Sequence, residues 1–124
     1  MPYTILIADD SPFIRKALRS VFEQEGDFDL CGEAENGRKA VEKAQELHPD
    51  LIILDLSMPV MNGLDATRVL KRVMPDLPII MFSAYSNSSI EMEARSAGAS
   101  MLVSKLEHIS VLLSKVRRAL EAVR

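Results

Sequence analysis

The sequence predicts an α/β fold with a parallel sheet covered by helices on both faces. Three observations carry that expectation. Short apolar runs at YTILIA, FDLCGEA, LIILDL, PIIMFS and MLVS alternate with longer stretches of helical periodicity. LIILDL is apolar at nearly every position, as a central strand covered on both sides should be. The length, 124 residues, fits a single domain over residues 1–124 and suffices to bury a core without disulfide or metal staples.

Each helix shows a start, a stripe and a stop. Ser11-Pro12 makes an N-cap and first-turn pair, and Ile14, Ala17, Leu18, Val21 and Phe22 fall on one face behind it. Asn36-Gly37 opens a second helix with Ala40, Val41, Ala44 and Leu47 inward, stopped near His48-Pro49. Asn62-Gly63 precedes a third, with Ala66, Val69, Leu70 and Val73 inward, ended by Pro75. The fourth, over residues 87–97, has only a thin stripe of Ile90, Ala94 and Ala97 before Gly98. The last carries Ile109, Leu112, Leu113, Val116, Leu120 and Val123. Five strands alternating with five helices under the right-handed crossover rule predict a doubly wound, flavodoxin-like (βα)5 sheet of order 2-1-3-4-5.

Composition narrows the function classes. The net charge of −3 does not favour direct nucleic-acid binding. The single cysteine, Cys31, lies in an apolar stretch and reads as a buried, inert thiol, which predicts a reducing, cytoplasmic setting. The N-terminus lacks the charged and apolar regions of a signal peptide, and no apolar run approaches the roughly 18 residues of a membrane span. The seven methionines read as core and surface filler, the Lys115, Arg117, Arg118 run as a solvated helix face, and His48 and His108 as helix-end residues.

The unusual polar residues gather at one edge. Asp9 and Asp10 end strand 1, Asp55 ends strand 3, Ser83 ends strand 4 and Lys105 ends strand 5. In the order 2-1-3-4-5 strands 1 and 3 are neighbours, so the acids converge where strand order reverses, the usual ligand crevice of such sheets. Any one aspartate alone reads as a turn or cap residue, and Lys105 alone as a surface lysine; five such groups at one edge do not read as coincidence. Three close carboxylates need raised pKa values or a cation. All-oxygen ligation with few protein ligands suits Mg²⁺. Lys105 and the Ser83 hydroxyl suit phosphoryl oxygens, and a carboxylate can act as a nucleophile toward phosphorus. The arrangement predicts a site for a phosphoryl group on a carboxylate.

LIADDSPFIR, LIILDLSMPVMNGLDA, PIIMFSA and AGASMLVSK together resemble the CheY-like receiver domain of bacterial response regulators, across essentially the whole chain. The resemblance implies that Asp55 accepts the phosphoryl group from a sensor histidine kinase or a phosphotransfer protein. It implies that Asp10 and Asp55 ligate Mg²⁺ directly, Asp9 through water, and Ser57 by its backbone carbonyl. Ser83 would donate its hydroxyl to the phosphoryl group, Lys105 would pair with it, and the Ala84 amide would add a donor. Pro59 and Gly63 would shape the loop after strand 3, glycine serving a positive φ or a close backbone approach. The phosphoryl charge would bias Ser83 and the helix 4–strand 5–helix 5 face toward a downstream partner, an output domain or a second copy of the chain. Met92, Leu102, Leu106 and Val111 are candidates for that surface, with core packing the default for each. Two positions depart from the family pattern. Leu106 stands where proline usually follows the lysine, and Leu102 where an aromatic switch usually lies; Tyr85 is the candidate substitute. Two alternatives remain at this point. One is the receiver piece of a DNA-binding regulator. The other is a small phosphatase with an aspartate nucleophile, which Ser57 disfavours by standing where a second acid is wanted. A nucleotide- or flavin-binding module would want a glycine-rich loop after strand 1, which is missing, and a receiver with a degenerate site would not keep all five groups.

Overall fold

The computed structural model describes residues 2–123. The elements run β1 (Tyr3–Ala8), α1 (Pro12–Glu25), β2 (Phe28–Ala34), α2 (Gly37–Leu47), β3 (Leu51–Asp55), α3 (Gly63–Val73), β4 (Ile79–Ser83), α4 (Ser88–Ala97), β5 (Met101–Ser104) and α5 (Ile109–Ala122). All strand pairs are parallel and the sheet order is β2-β1-β3-β4-β5. The expected doubly wound, flavodoxin-like fold is the fold observed.

Alternation along the strands divides the core in two. Leu6, Ala8, Ile52, Leu54, Ile79 and Met81 face the side packed by α2, α3 and α4. Ile5, Ile7, Leu51, Ile53, Ile80 and Phe82 face α1 and α5. Side chains buried on both faces explain why β1, β3 and β4 read as continuous apolar runs. The Phe22 and Phe28 rings meet edge to face at 5.2 Å between centroids.

The helix starts follow the sequence closely. Ser11 Oγ accepts from the Ile14 amide, Asn36 Oδ1 from Lys39, Asn62 Oδ1 from Asp65 and Asn87 Oδ1 from Ile90. His108 caps α5 by accepting from the Ser110 amide at Nδ1, and His48 ends α2 in the left-handed conformation, both at helix ends as expected. The stripes overreach at three helix ends and, at Ala17, in mid-helix. Ala17, Leu47, Val73 and Val123 were expected inward but are exposed. Leu47 and Val73 occupy the last positions of α2 and α3 and Val123 follows α5, so all three lie at helix ends, although the Leu47 side chain still reaches Gly32 of β2. Arg117 is no free surface charge either: it pairs with Glu25 and Asp27 and lies 5.2 Å over the Phe28 ring.

Two backbone features prepare the site edge. β2 carries one extra residue, because Ile5 pairs with Leu30 but Leu6 with Gly32, which leaves Cys31 unpaired in a bulge. Cys31 is half-buried rather than fully buried as expected, because it sits in a bulge on the outer strand, and burial still raises its thiol pKa. The second feature is the loop after β3. Its positive φ falls on Val60 (φ 68°), within a three-residue turn closed by the Met61 amide on Pro59 O at 2.7 Å. Gly63 serves close approach instead: its amide bonds Leu56 O at 2.9 Å, and a Cβ there would collide with the Asp55 carbonyl. Among the described residues no helix is long and apolar enough to cross a membrane.

Gly63→Ala should therefore cost about 1–3 kcal/mol, because the displaced atom is backbone that cannot swing away. Urea denaturation checks this, and an unchanged midpoint would show that the loop shifts freely.

Candidate functional site

The strand register lays the site out as a staircase. Ala8 is paired with Leu54, so Asp9 and Asp55 occupy the next step on neighbouring strands. Asp55 is paired with Phe82, so Ser83 lies one step beyond. Ser83 is paired with Ser104, and Lys105 follows. Four strand ends thus bring their polar residues to the crevice beside the β1–β3 boundary, where the chain winds away in opposite directions.

Asp9, Asp10 and Asp55 come together as anticipated, each offering a carboxylate oxygen, all within 4.8 Å of one another. Asp9 and Asp55 are buried while Asp10 faces solvent. The Lys105 ammonium bridges the two buried acids, at 2.7 Å from Asp9 Oδ2 and 3.2 Å from Asp55 Oδ1. Its backbone amide is fixed by Ser83 O at 2.7 Å, and its Nζ lies 5.8 Å over the Phe82 ring. Leu106, in place of proline, does not keep the lysine from the site; its amide bonds Ser104 Oγ in the turn that follows.

Burial pushes the Asp55 carboxyl up to about 6, and the charge of Asp9 adds to the shift; Lys105 and the Ser57 amide act the other way. Burial alone would lower the Lys105 pKa, but its hydrogen bond and charge interactions with Asp9 and Asp55 outweigh that and raise it, so the ammonium stays charged. The pocket therefore holds one firm cation against three acids.

The remaining predicted residues sit at the same edge with different freedom. Ser83 is buried, and its Oγ accepts from the Tyr85 amide at 3.0 Å, so its hydroxyl oxygen is engaged within its own loop. Ala84 follows it in the exposed part of that loop. Ser57 is exposed beyond Asp55. Tyr85 points outward and is 64% exposed, whereas Leu102 packs half-buried against the α2–α4 side of the core.

Sequence reasoning missed one part of the site. Arg15 donates from Nη1 to the Asp9 backbone carbonyl at 2.6 Å and from Nε to Glu33 Oε1 at 3.1 Å. Arg19 holds the other Glu33 oxygen, Nε to Oε2 at 3.0 Å. The Arg19 hydrogen bond, with Arg15 behind it, keeps the Glu33 carboxyl below the usual carboxylate range. The i, i+4 spacing of Arg15 and Arg19 on α1 was readable, but their shared acid on β2 was not.

The raised Asp55 pKa means that the folded protein binds this proton more tightly than the unfolded chain, whose value is about 3.9. Ionised Asp55 therefore lowers stability increasingly as pH rises from about 4 to about 6, and fully above that. In chelator, Asp55→Asn should stabilise the protein by on the order of 2 kcal/mol at pH 7.5, with the gain vanishing toward pH 4. Urea unfolding across that range checks both the sign and the window.

Comparison with known proteins agrees with this geometry. The family model described as the response regulator receiver domain matches residues 5–117. The chain is 41% identical over 101 residues to the chemotaxis protein CheY of Thermotoga maritima, covering 82% of this chain and 83% of that protein. It is 40% identical over 124 residues to a protein-glutamate methylesterase/protein-glutamine glutaminase of Alkalilimnicola ehrlichii, covering 98% of this chain and 32% of that protein. This chain thus spans about a third of the length of that relative. Among solved structures, the response regulator domain of Thermotoga maritima CheB superposes with a TM-score of 0.91 at 32% identity over 98% of both chains. A Borrelia burgdorferi CheX–CheY–BeF3–Mg²⁺ complex gives 0.90 at 28% identity, covering 95% of this chain and 89% of that chain. A family match over nearly the whole chain and relatives alike in sequence and in fold lead to one assignment: this chain belongs to the receiver domains of two-component response regulators.

Proposed function

We propose that this domain is a phosphoacceptor switch that takes a phosphoryl group on Asp55 from a histidine kinase or phosphotransfer protein. One observation carries the reading: Asp55 is a buried carboxylate at the switch point, ion-paired with Lys105 and crowded by two further acids. With a pKa near 6 it is mostly ionised at neutral pH, as a nucleophile must be. An Asp55 oxygen attacks phosphorus as the bond to the donor's imidazole nitrogen breaks, and the leaving nitrogen takes a proton. The Lys105 ammonium then has phosphoryl oxygens to meet, and the Ser83 hydroxyl turns from the Tyr85 amide to donate to them, with the Ala84 amide beside it.

The donor set fits Mg²⁺, since the three clustered ligands are carboxylate oxygens, which suit a small hard cation. Asp10 and Asp55 would hold it directly, Asp9 through water and Ser57 by its carbonyl. Bound there, the ion would offset the charge of the acids and of the incoming phosphoryl oxygens. The BeF3 and Mg²⁺ named in the Borrelia complex support this cation class.

Two exposed apolar residues follow site residues closely in sequence, Phe13 in the first turn of α1 at 84% and Leu106 directly after Lys105 at 89% exposure. They form the dock for a phosphodonor protein in this reading. The output side is the α4–β5–α5 face, acting on a partner, a second copy of the chain, or an output domain such as the rest of the longer relatives would supply. Met92 is free to serve there, Leu106 is taken up by the donor dock, and Leu102 and Val111 pack against the core. The domain assists its own phosphorylation and dephosphorylation but carries no separate enzymatic activity; with Ser57 after Asp55 there is no second acid for an aspartate phosphatase. A cytoplasmic setting goes with that donor class.

With acetyl phosphate and Mg²⁺, intact mass should show the gain of one phosphoryl group, absent from Asp55→Asn and from samples in chelator. No adduct on the wild-type chain, with Mg²⁺ bound, would overturn the reading. Phe13→Ala with Leu106→Ala should slow transfer from a kinase at least tenfold while leaving the acetyl phosphate rate within twofold, because a small donor needs no dock. Equal losses with both donors would place these residues in the chemistry instead.

A further inference from the structure

We propose that Arg15 is a positioning residue whose hydrogen bond to the Asp9 backbone sets how tightly the acidic crevice holds its divalent cation. The inference rests on the cation-assisted reading above, and goes beyond it by naming a residue outside the crevice that builds it.

Asp9 is where the crevice would fail first. Three carboxylates crowded within 4.8 Å repel one another, and Asp9 and Asp10 lie in the connection between β1 and α1, outside the strand ladder. Four bonds hold Asp9 in place. Its amide bonds Ala34 O at 3.0 Å, its Oδ1 accepts from the Ser11 amide at 2.9 Å, and its Oδ2 pairs with Lys105 at 2.7 Å. The fourth is Arg15 Nη1 on the main-chain carbonyl at 2.6 Å. The Lys105 pair is one that cation and phosphoryl chemistry would disturb. The Arg15 bond takes only a backbone oxygen, so it fixes the acid pair without consuming a carboxylate.

The guanidinium is itself anchored. Its Nε lies on Glu33 Oε1 at 3.1 Å, and its side chain is only 17% exposed. One planar group therefore satisfies two partners in fixed directions, which a lysine ammonium cannot reproduce. Glu33 is ionised and braced from behind by Arg19. The bulge in β2 makes this possible. With Cys31 left out of the pairing, Glu33 lies opposite Ile7 and faces α1; in an unbroken register it would lie opposite Ala8 and face α2.

Charge and position predict opposite signs, which makes the claim testable. Arg15 is a cation near a cation site, so its bare charge opposes metal binding, and removing it would tighten binding. Its positioning role favours binding, and removing it would loosen the acids. The geometry points to position, because Glu33 already offsets the arginine charge.

Mg²⁺ dissociation constants are measured by isothermal titration calorimetry on the full chain, wild type and Arg15→Met, alongside the melting temperature in chelator. Methionine keeps the aliphatic stem and removes the fork. Binding about tenfold weaker is expected for loss of one charge-assisted hydrogen bond. Arg117→Met serves as the control: it breaks an ion-pair cluster with Glu25 and Asp27 and should lower the melting temperature with no change in Mg²⁺ affinity. Arg15→Lys should recover part of the affinity through one donor to the Asp9 carbonyl. Unchanged or tighter binding in Arg15→Met overturns the proposal, and so does an equal loss in Arg117→Met, which would mean general loosening. If Arg15→Met does not fold, Arg15→Lys decides alone: affinity equal to wild type overturns the proposal and a several-fold loss supports it. A wild-type chain that binds no Mg²⁺ overturns the cation reading itself, and the proposal with it.

Discussion

Lys105 reaches from the end of β5 past β4 to lie between Asp9 and Asp55, and the crevice depends on that contact. Without the ammonium, two buried carboxylates would face each other across the β1–β3 boundary with nothing to offset their repulsion. With it, that repulsion is offset, yet the balance is incomplete: one ammonium against three acids leaves the pocket receptive to a further cation. The same contact ties the edge of the sheet to its centre, because Lys105 is anchored by its own amide to Ser83. A phosphoryl group that drew the ammonium away from Asp9 would be felt along β5 and at the start of α5.

The scaffold makes such a contact dependable. The site residues end or follow strands packed on both faces, so register slips of a single residue would exchange the two cores. The staircase of strand ends is thus fixed by hydrophobic packing well below the site, and the polar residues inherit their spacing from it. α4 is the exception in this firm frame. It is held by Ala94, Ala97 and a half-buried Ile90, few apolar groups for ten residues. Next to the Ser83 loop, it is the helix least anchored to the core, as a responsive element should be.

Much of this was legible in the residues. Strand runs and helix caps were readable because both are local: period-2 burial, and a side-chain oxygen three residues before an amide. The acids and Lys105 were readable as a set because topology follows from the alternation of elements. Helix ends were not, since Leu47, Val73 and Val123 keep the helical period at the helix ends yet stay exposed. The positive φ at Val60 was hidden because valine is poorly suited to it and glycine was available three residues later. The Arg15–Glu33 clamp was hidden for another reason. It depends on which face of β2 Glu33 occupies, and nothing in FDLCGEA announces that one residue drops out of the pairing.

That dropped residue also bears on how the chain behaves in a crowded solution. β2 is an outer strand, with one row of backbone groups open to any passing strand of matching shape. The bulge at Cys31 breaks the even spacing of that row, and Asp29 and Glu33 place charge on either side of it. A second molecule could not lay a straight strand along this margin without leaving bonds unmade and acids buried. The opposite margin is β5, four residues long, too short to template much. The kink that delivers Glu33 to the arginines thus also keeps the sheet from growing, and a shortened β2 would lose a guard against aggregation along with its clamp.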